Sequence, residues 1–137
     1  MKIFLICSKA FYSKIPPIQA ALEKVWHEVT LPHEYDNPGS EEEIRKEGKE
    51  AHAAFKNRLF KASREFISRM DAVLTLNFDK NGQKNYIGGC TFLELYEAFM
   101  QGKKIYLYNE IPEGMLFDEI SGFSPIILNG DLMKIPS

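Results

Sequence analysis

The chain has 137 residues, of which 45% are hydrophobic and 26% are charged, and its formal net charge is -2. This length and composition predict one compact domain, residues 1–137, with a buried core. The isoelectric point near 5.9 and the absence of a basic stripe argue against a nucleic-acid partner. Apolar runs are too short to span a bilayer, and two cysteines make no disulfide framework. We therefore expect a cytoplasmic protein that does not insert into membranes.

The first half of the chain alternates between strand-like and helix-like patterns. The first apolar run is continuous, as in a parallel strand covered on both faces. Paired prolines suit the first turn of a helix, and a Ser-x-x-Glu spacing at Ser40 and Glu43 predicts a capping box. The predicted elements are a strand at Lys2–Cys7, a helix starting near Pro16–Pro17, a strand at Glu28–Leu31, and a helical region from Ser40 to about Met70 with a break at Gly48.

The long helical region carries an apolar stripe that is typical of core packing rather than of a cofactor-binding surface. The residues of this predicted core face are Phe55, Leu59, Ala62, Phe66 and Met70.

The second half continues the alternation. A polar loop separates a third strand from a helix, and a glycine after that helix is a favourable terminating residue. The predicted elements are a strand at Ala72–Leu76, a loop at Asp79–Asn85, a helix at Phe92–Gln101 that ends at Gly102, a strand at Ile105–Tyr108, a short helix around Met115–Ile120 and a strand at Ile126–Leu128.

Alternating strands and helices with short connections predict βαβ units with right-handed crossovers. We expect an α/β fold: a doubly wound, five-stranded parallel sheet of order 2-1-3-4-5, of the flavodoxin-like and Rossmann-like class. Such sheets bind ligands beyond the carboxyl ends of their strands, at the switch point between strands one and three. This order places Cys7–Lys9 beside Asp79 and the glycine pair Gly88–Gly89.

The glycine pair lies at a predicted strand-to-helix junction, where a ligand can approach the backbone closely. Glu94 follows in what we expect to be the first turn of the helix. Its carboxylate can accept hydroxyl hydrogen bonds from a sugar or attack an electron-poor carbon. Thr91-x-x-Glu94 is equally the pattern of a capping box, so Glu94 can instead satisfy a backbone N–H. The glycines can likewise serve turn geometry alone.

Gly89-Cys90-Thr91-Phe92-Leu93-Glu94 followed by Gly102-Lys103-Lys104 resembles the nucleoside deoxyribosyltransferase superfamily, which includes 2-deoxynucleotide N-glycosidases. The resemblance extends coarsely over nearly the whole chain, with Cys7–Ser8 in the place of the first nucleotide-facing loop. It implies cleavage or transfer of the N-glycosidic bond of a (deoxy)nucleoside or its 5′-monophosphate, with Glu94 as nucleophile. The covalent two-step logic is that of retaining glycosidases.

The resemblance also implies roles for other residues. The departing base needs a proton or hydrogen bonds, from Asp79 or Tyr86, although Asp79 also suits a turn. A 5′-phosphate would lie on the loop after the first strand, with Lys9 or Lys14 nearby. The predicted catalytic residues are Glu94 and Asp79, and the predicted substrate-binding residues are Ser8, Lys9, Tyr12, Asn85, Tyr86, Gly88, Gly89 and Thr91.

Two other functions remain open. A non-catalytic nucleotide or nucleotide-sugar binding module is favoured by Tyr96 and Asn85–Tyr86, which replace features common in the family. A flavodoxin-like electron carrier would share the sheet order, but the loop after strand one has no glycine for a phosphate cradle. We expect no metal and no cofactor, because the histidines are scattered and no dinucleotide or P-loop motif occurs. Aromatic residues on helix three and strand four suggest a homodimer or a higher homo-oligomer.

Overall fold

The computed structural model describes all 137 residues. Its sheet is all parallel, with strand order β2-β1-β3-β4-β5. The doubly wound α/β fold and the predicted strand order are therefore confirmed. The strands are Lys2–Ile6 (β1), Glu28–Thr30 (β2), Ala72–Thr75 (β3), Lys104–Leu107 (β4) and Ile126–Ile127 (β5).

Helices cover both faces of this sheet. None of them combines the length and the apolar character that crossing a membrane requires. The helices are Ile15–Lys24 (α1), Ser40–Arg45 (α2), Lys49–Ser68 (α3), Gly89–Met100 (α4) and Phe117–Gly122 (α5), with 3₁₀ turns at Lys9–Lys14 and Leu132–Lys134.

The core consists of two apolar layers, one on each face of the sheet. Successive residues of a strand point to opposite faces, so Ile3 and Leu5 join the layer beneath α1. Phe4 and Ile6 join the layer beneath α3, α4 and α5. All four of these side chains are buried, and burial of each contributes roughly 1.5–3 kcal/mol to folding.

The register of the central strands brings the ends of β1 and β3 level. Ile6 pairs with Thr75, so the segments that follow the two strands leave the sheet side by side. The chain then diverges, because β2 lies beyond β1 while β4 lies beyond β3. This divergence opens the crevice at the predicted switch point. Asn77, fully buried, closes the β4 side by hydrogen bonds with Asn109 and Glu110.

Both predicted capping boxes are wrong. Ser40 is the first residue of α2, and its hydroxyl donates to Glu34 at 3.0 Å instead of capping the helix. The helix α4 begins at Gly89, three residues before the predicted start, so Thr91 lies inside its first turn and is buried. The predicted break at Gly48 is confirmed, since its φ of 115° is a conformation that glycine adopts readily.

The predicted core face of α3 is only partly correct. Met70, just beyond the helix, is buried, whereas Ala62 is exposed. Ser63 and Ile67 are the buried residues of the helix itself. The face of α3 that points inward therefore includes polar side chains beside the predicted apolar stripe. Part of the helix covers the sheet, and part of it borders an open crevice.

Candidate functional site

A cavity of about 350 Å³ lies at the switch point of the sheet. This volume is within the range of small-molecule sites in proteins. Its floor comes from the residues after β1 and from the glycine turn that precedes α4. Helices α2 and α3 and the segment after β2 form the opposite wall. The sheet topology thus places the cavity where the strand order predicts a ligand site.

Eight of the ten predicted site residues line this cavity. Asp79 and Asn85 do not: the Asp79 carboxylate is exposed and accepts a hydrogen bond from the backbone N–H of Asn85 at 3.1 Å. This contact closes the loop between β3 and α4. The predicted residues that line the cavity are Ser8, Lys9, Tyr12, Tyr86, Gly88, Gly89, Thr91 and Glu94.

Glu94 lies in the second turn of α4 and not in the first, because the helix begins earlier than predicted. The N-terminal residue that flanks α4 is Gly88, and no side chain caps the helix. The interpretation of Glu94 as a helix cap is therefore wrong. Its carboxyl group lines the cavity on one side and a shallower depression beside Leu93 and Tyr96 on the other.

Burial raises the pKa of Glu94 to about 8, and the positive charge of Lys56 acts in the opposite direction. No hydrogen bond from the protein stabilises the carboxylate. A partly buried carboxyl without hydrogen-bond partners resists ionisation, since its charge has lost part of the stabilisation that water provides. Its raised pKa thus holds Glu94 near the pH range where it can both gain and lose a proton.

A second carboxylate, Glu41, forms the centre of the opposite wall. It is buried and accepts hydrogen bonds from Arg45 at 3.1 Å, from His52 at 2.8 Å and from Lys56 at 3.2 Å. Lys9 lies 3.8 Å away. Burial alone would raise the pKa of Glu41, but the hydrogen bonds from His52 and Lys56 lower it to about 2. Glu41 is therefore a fixed negative charge.

Lys80 lies on the other side of the cavity and has no carboxylate partner. Its ammonium group is 3.3 Å from the hydroxyl of Ser8 and 4.6 Å from the centre of the Tyr86 ring. The Tyr86 hydroxyl in turn lies against Gly88, where an added Cβ would come within 3.1 Å of it. A glycine at this position therefore leaves room for the aromatic ring at the edge of the cavity.

Three further titratable groups of the cavity are electrically neutral near pH 7. Burial, and next the charge of Glu94, raise the pKa of Cys7 to about 12. Burial also raises the pKa of the Tyr12 phenol, and it lowers the pKa of His33, whose Nε2 is 3.2 Å from the Ser63 hydroxyl. The charge pattern of the cavity is therefore set by its lysines, its arginine and its glutamates.

Sequence reasoning missed the wall formed by α2 and α3. His52, Lys56 and Ser63 share one face of α3, at spacings of four and seven residues. This polar periodicity was a usable signal beside the apolar stripe. Glu41 gave no such signal, because a glutamate in the first turn of a helix is ordinarily an exposed residue that complements the helix dipole.

No protein-family model matches the chain, and no curated protein matches it. Among solved structures, the CMP N-glycosidase BcmB of Clostridium botulinum superposes with a TM-score of 0.53. The match covers 93% of this chain and 85% of that one, at 16% sequence identity. The two proteins therefore share a fold over nearly their whole length.

Proposed function

We propose that this protein cleaves or transfers the N-glycosidic bond of a (deoxy)nucleoside or its 5′-monophosphate, with Glu94 as nucleophile. The observation that carries the proposal is the carboxyl group of Glu94, which has no hydrogen-bond partner in the protein and lines a nucleoside-sized cavity. The resemblance of Gly89–Glu94 to the deoxyribosyltransferase pattern supports it. The fold shared with a CMP N-glycosidase is compatible with it.

In the proposed first step, the ionised carboxylate of Glu94 attacks the anomeric carbon of the sugar. The bond from that carbon to the base nitrogen breaks, and its electron pair leaves with the base, which takes up a proton or accepts a hydrogen bond. Of the two predicted donors, Tyr86 lines the cavity and Asp79 does not. Water or a second base then attacks the same carbon and releases Glu94.

A 5′-phosphate would lie near Ser8 and Lys80. Lys9, the predicted phosphate ligand, is engaged by Glu34 at 3.1 Å, and Lys14 is exposed beside the Phe78 ring. Lys80 has no carboxylate to neutralise it, so its charge is available to an anion. Lys80→Met should weaken the binding of monophosphates more than the binding of nucleosides. Equal effects on both in isothermal titration calorimetry would refute this placement.

The decisive experiment is incubation with nucleosides, deoxynucleosides and their 5′-monophosphates, with and without free bases, followed by chromatography of the released or exchanged base. Glu94→Gln should abolish the reaction. The matched control is Glu97→Gln on the same helix, because Glu97 pairs with Arg64 at 2.9 Å and lies outside the main cavity. Base release that survives in Glu94→Gln would refute the proposal.

A binding module is the second candidate, and the raised pKa of Glu94 favours it. With a pKa of about 8, Glu94 is ionised in about one molecule in ten at pH 7. A protonated carboxyl is a weak nucleophile but a good hydrogen-bond donor to a sugar or base. Tight binding of a nucleotide that is recovered unchanged after long incubation would select this function over catalysis.

We also propose that the protein is a homo-oligomer. Helix α4 exposes an apolar face beside the depression that reaches Glu94, and unpartnered apolar faces of this kind often lie in subunit interfaces. Tyr96→Glu should reduce the molecular mass measured by light scattering, whereas a monomeric wild-type protein would refute the proposal. The exposed apolar residues of this face are Leu93, Tyr96, Phe99 and Met100, and Phe60 of α3 is exposed beside the same depression.

A further inference from the structure

Two residues hold the ammonium group of Lys56 inside the cavity. Its Nζ donates to Oε1 of Glu41 at 3.2 Å and to Sγ of Cys90 at 2.9 Å. The side chain is only 23% exposed. Burial would lower the pKa of Lys56, but the contacts with Cys90 and Glu41 outweigh burial and raise it. Lys56 is therefore a cation of fixed position at all ordinary values of pH.

The contact with Cys90 brings this charge next to Glu94. Cys90 and Glu94 are four residues apart on α4, and side chains at that spacing are neighbours on one face of a helix, about 5–6 Å apart. A lysine that reaches Cys90 from α3 thus lies within about one helical turn of the Glu94 carboxyl group. The charge of Lys56 opposes the effect of burial on that group.

The other cations around Glu94 are paired or directed elsewhere. Lys9 is bound to Glu34, and Arg45 is half-exposed and bridges two glutamates of its own helix. Arg64, on α3, pairs with Glu97. Lys80 lies over the Tyr86 ring and contacts Ser8.

The remaining titratable groups that face Glu94 carry no compensating positive charge. Cys7 of β1, Tyr12 of the 3₁₀ turn and His33 after β2 are neutral near pH 7, as their shifted pKa values require. Glu41 of α2 is negative, but it is engaged by hydrogen bonds from Arg45, His52 and Lys56. Burial is the main influence on Glu94, and Lys56 is the positive charge that opposes it.

We propose that Lys56 is the positioning residue of this site: held by Glu41 and Cys90, its ammonium group keeps a positive charge beside Glu94 and so increases the fraction of the ionised form that attacks the sugar. This inference rests on the proposed function, in which Glu94 touches the substrate and Lys56 acts through it. It assigns a purpose to the buried contact between Glu41 and Lys56.

The test is a carbon-13 NMR titration of the glutamate carboxyl groups in the ligand-free protein, with the Glu94 signal assigned from its absence in Glu94→Gln. Lys56→Met removes the charge and keeps the chain length, and should raise the titration midpoint of Glu94 by about 1 pH unit or more. Lys56→Arg keeps the charge and should leave the midpoint close to that of the wild type. Lys80→Met removes a charge from the same cavity and should not move it.

The pH dependence of kcat/KM in the Lys56 variants gives a second measurement, which a merely structural role of Lys56 would not reproduce. With a midpoint 1 unit higher, kcat/KM of Lys56→Met at pH 7 should fall about tenfold, and the loss should disappear as the pH rises above the new midpoint. Lys56→Gln serves as a second neutral variant if circular dichroism shows that Lys56→Met does not fold.

An unchanged Glu94 midpoint in the neutral variants would overturn the role of Lys56, and it would leave Glu94-dependent base release untouched. The proposed function has a separate test. It fails if the Glu94 midpoint shifts in the Lys56 variants but the wild-type protein cleaves no nucleoside or nucleotide. A loss of activity in Lys56→Met that is equal at every pH would also overturn the inference, because it would indicate damage to the cavity wall.

Discussion

Replacement of Glu94 by glutamine should stabilise the protein, and the gain should depend on pH. The carboxyl group has a pKa of about 8 in the folded protein, against 4.5 for an unperturbed glutamate. A pKa raised by folding means that the stabilisation is fully present below pH 4.5 and is lost as the pH rises to 8. At about 1.4 kcal/mol for each pH unit, ionisation of Glu94 costs the folded protein at most about 5 kcal/mol, since the side chain is partly exposed to an open cavity.

Glutamine cannot ionise, so Glu94→Gln avoids this cost. Its free energy of unfolding in urea should match that of the wild type near pH 4.5 and exceed it increasingly up to pH 8, by at most about 5 kcal/mol. Glu97→Gln should behave in the opposite sense, because hydrogen bonds from Gln101 and Arg64 lower the pKa of Glu97. That substitution should cost stability above pH 4.5, and the cost should shrink as the pH falls from 4.5 through the lowered pKa of Glu97.

Two results for Glu94→Gln would contradict this expectation. Its stability could follow that of the wild type at pH 8, or it could exceed the wild type equally at pH 4.5 and pH 8. The first result would mean that the carboxylate is solvated in solution. The second would mean that the gain comes from packing and not from the charge. Neither result depends on whether the protein has catalytic activity.

Three other substitutions probe the wall, the core and the glycine turn. Glu41→Gln should cost about 3 kcal/mol at pH 7, and the cost should shrink as the pH falls from 4.5 towards 2, because the pKa of Glu41 is about 2; a cost independent of pH in urea unfolding would contradict this. Leu74→Ala, in the fully buried centre of the sheet, should cost about 2–5 kcal/mol in the same assay, and a cost below about 1 kcal/mol would contradict the packing. Gly88→Ala should push Tyr86 aside and raise the Kd for nucleotides by more than Gly89→Ala, whose Cβ would meet no atom within 4 Å; equal Kd values in calorimetry would contradict the steric argument.

The sheet was predictable because its signals are local and strong. Element boundaries are marked by short apolar runs, by the glycine at position 48, which has a positive φ, and by the glycine after α4. The parallel strand order follows from the alternation of strands and helices. The place of the cavity followed from that order. Eight predicted residues line it because they lie on the segments that leave β1 and precede α4.

The cavity wall was not predictable, because its contacts join residues far apart in sequence. Lys56 and Cys90 are 34 residues apart, and Lys56 and Glu41 are 15 apart. Motif reasoning also placed the start of α4 at a threonine and a glutamate that match a capping box. The helix instead begins at Gly89, and no side chain caps it, because the N-cap residue is Gly88. Glycine is among the residues preferred at an N-cap.

The attachment of α2 has a consequence for how the cavity exchanges with solvent. Glu41 is the only buried residue of that helix, so α2 is fastened mainly by ion pairs and little by apolar contact. Dissolved ions screen these pairs only weakly, because the Glu41 carboxylate is buried. Amide hydrogens of α2 should exchange faster than those of β3, since few apolar contacts hold the helix. The sheet sets the global stability, while the pairs of one carboxylate set how often this side of the cavity opens to solvent.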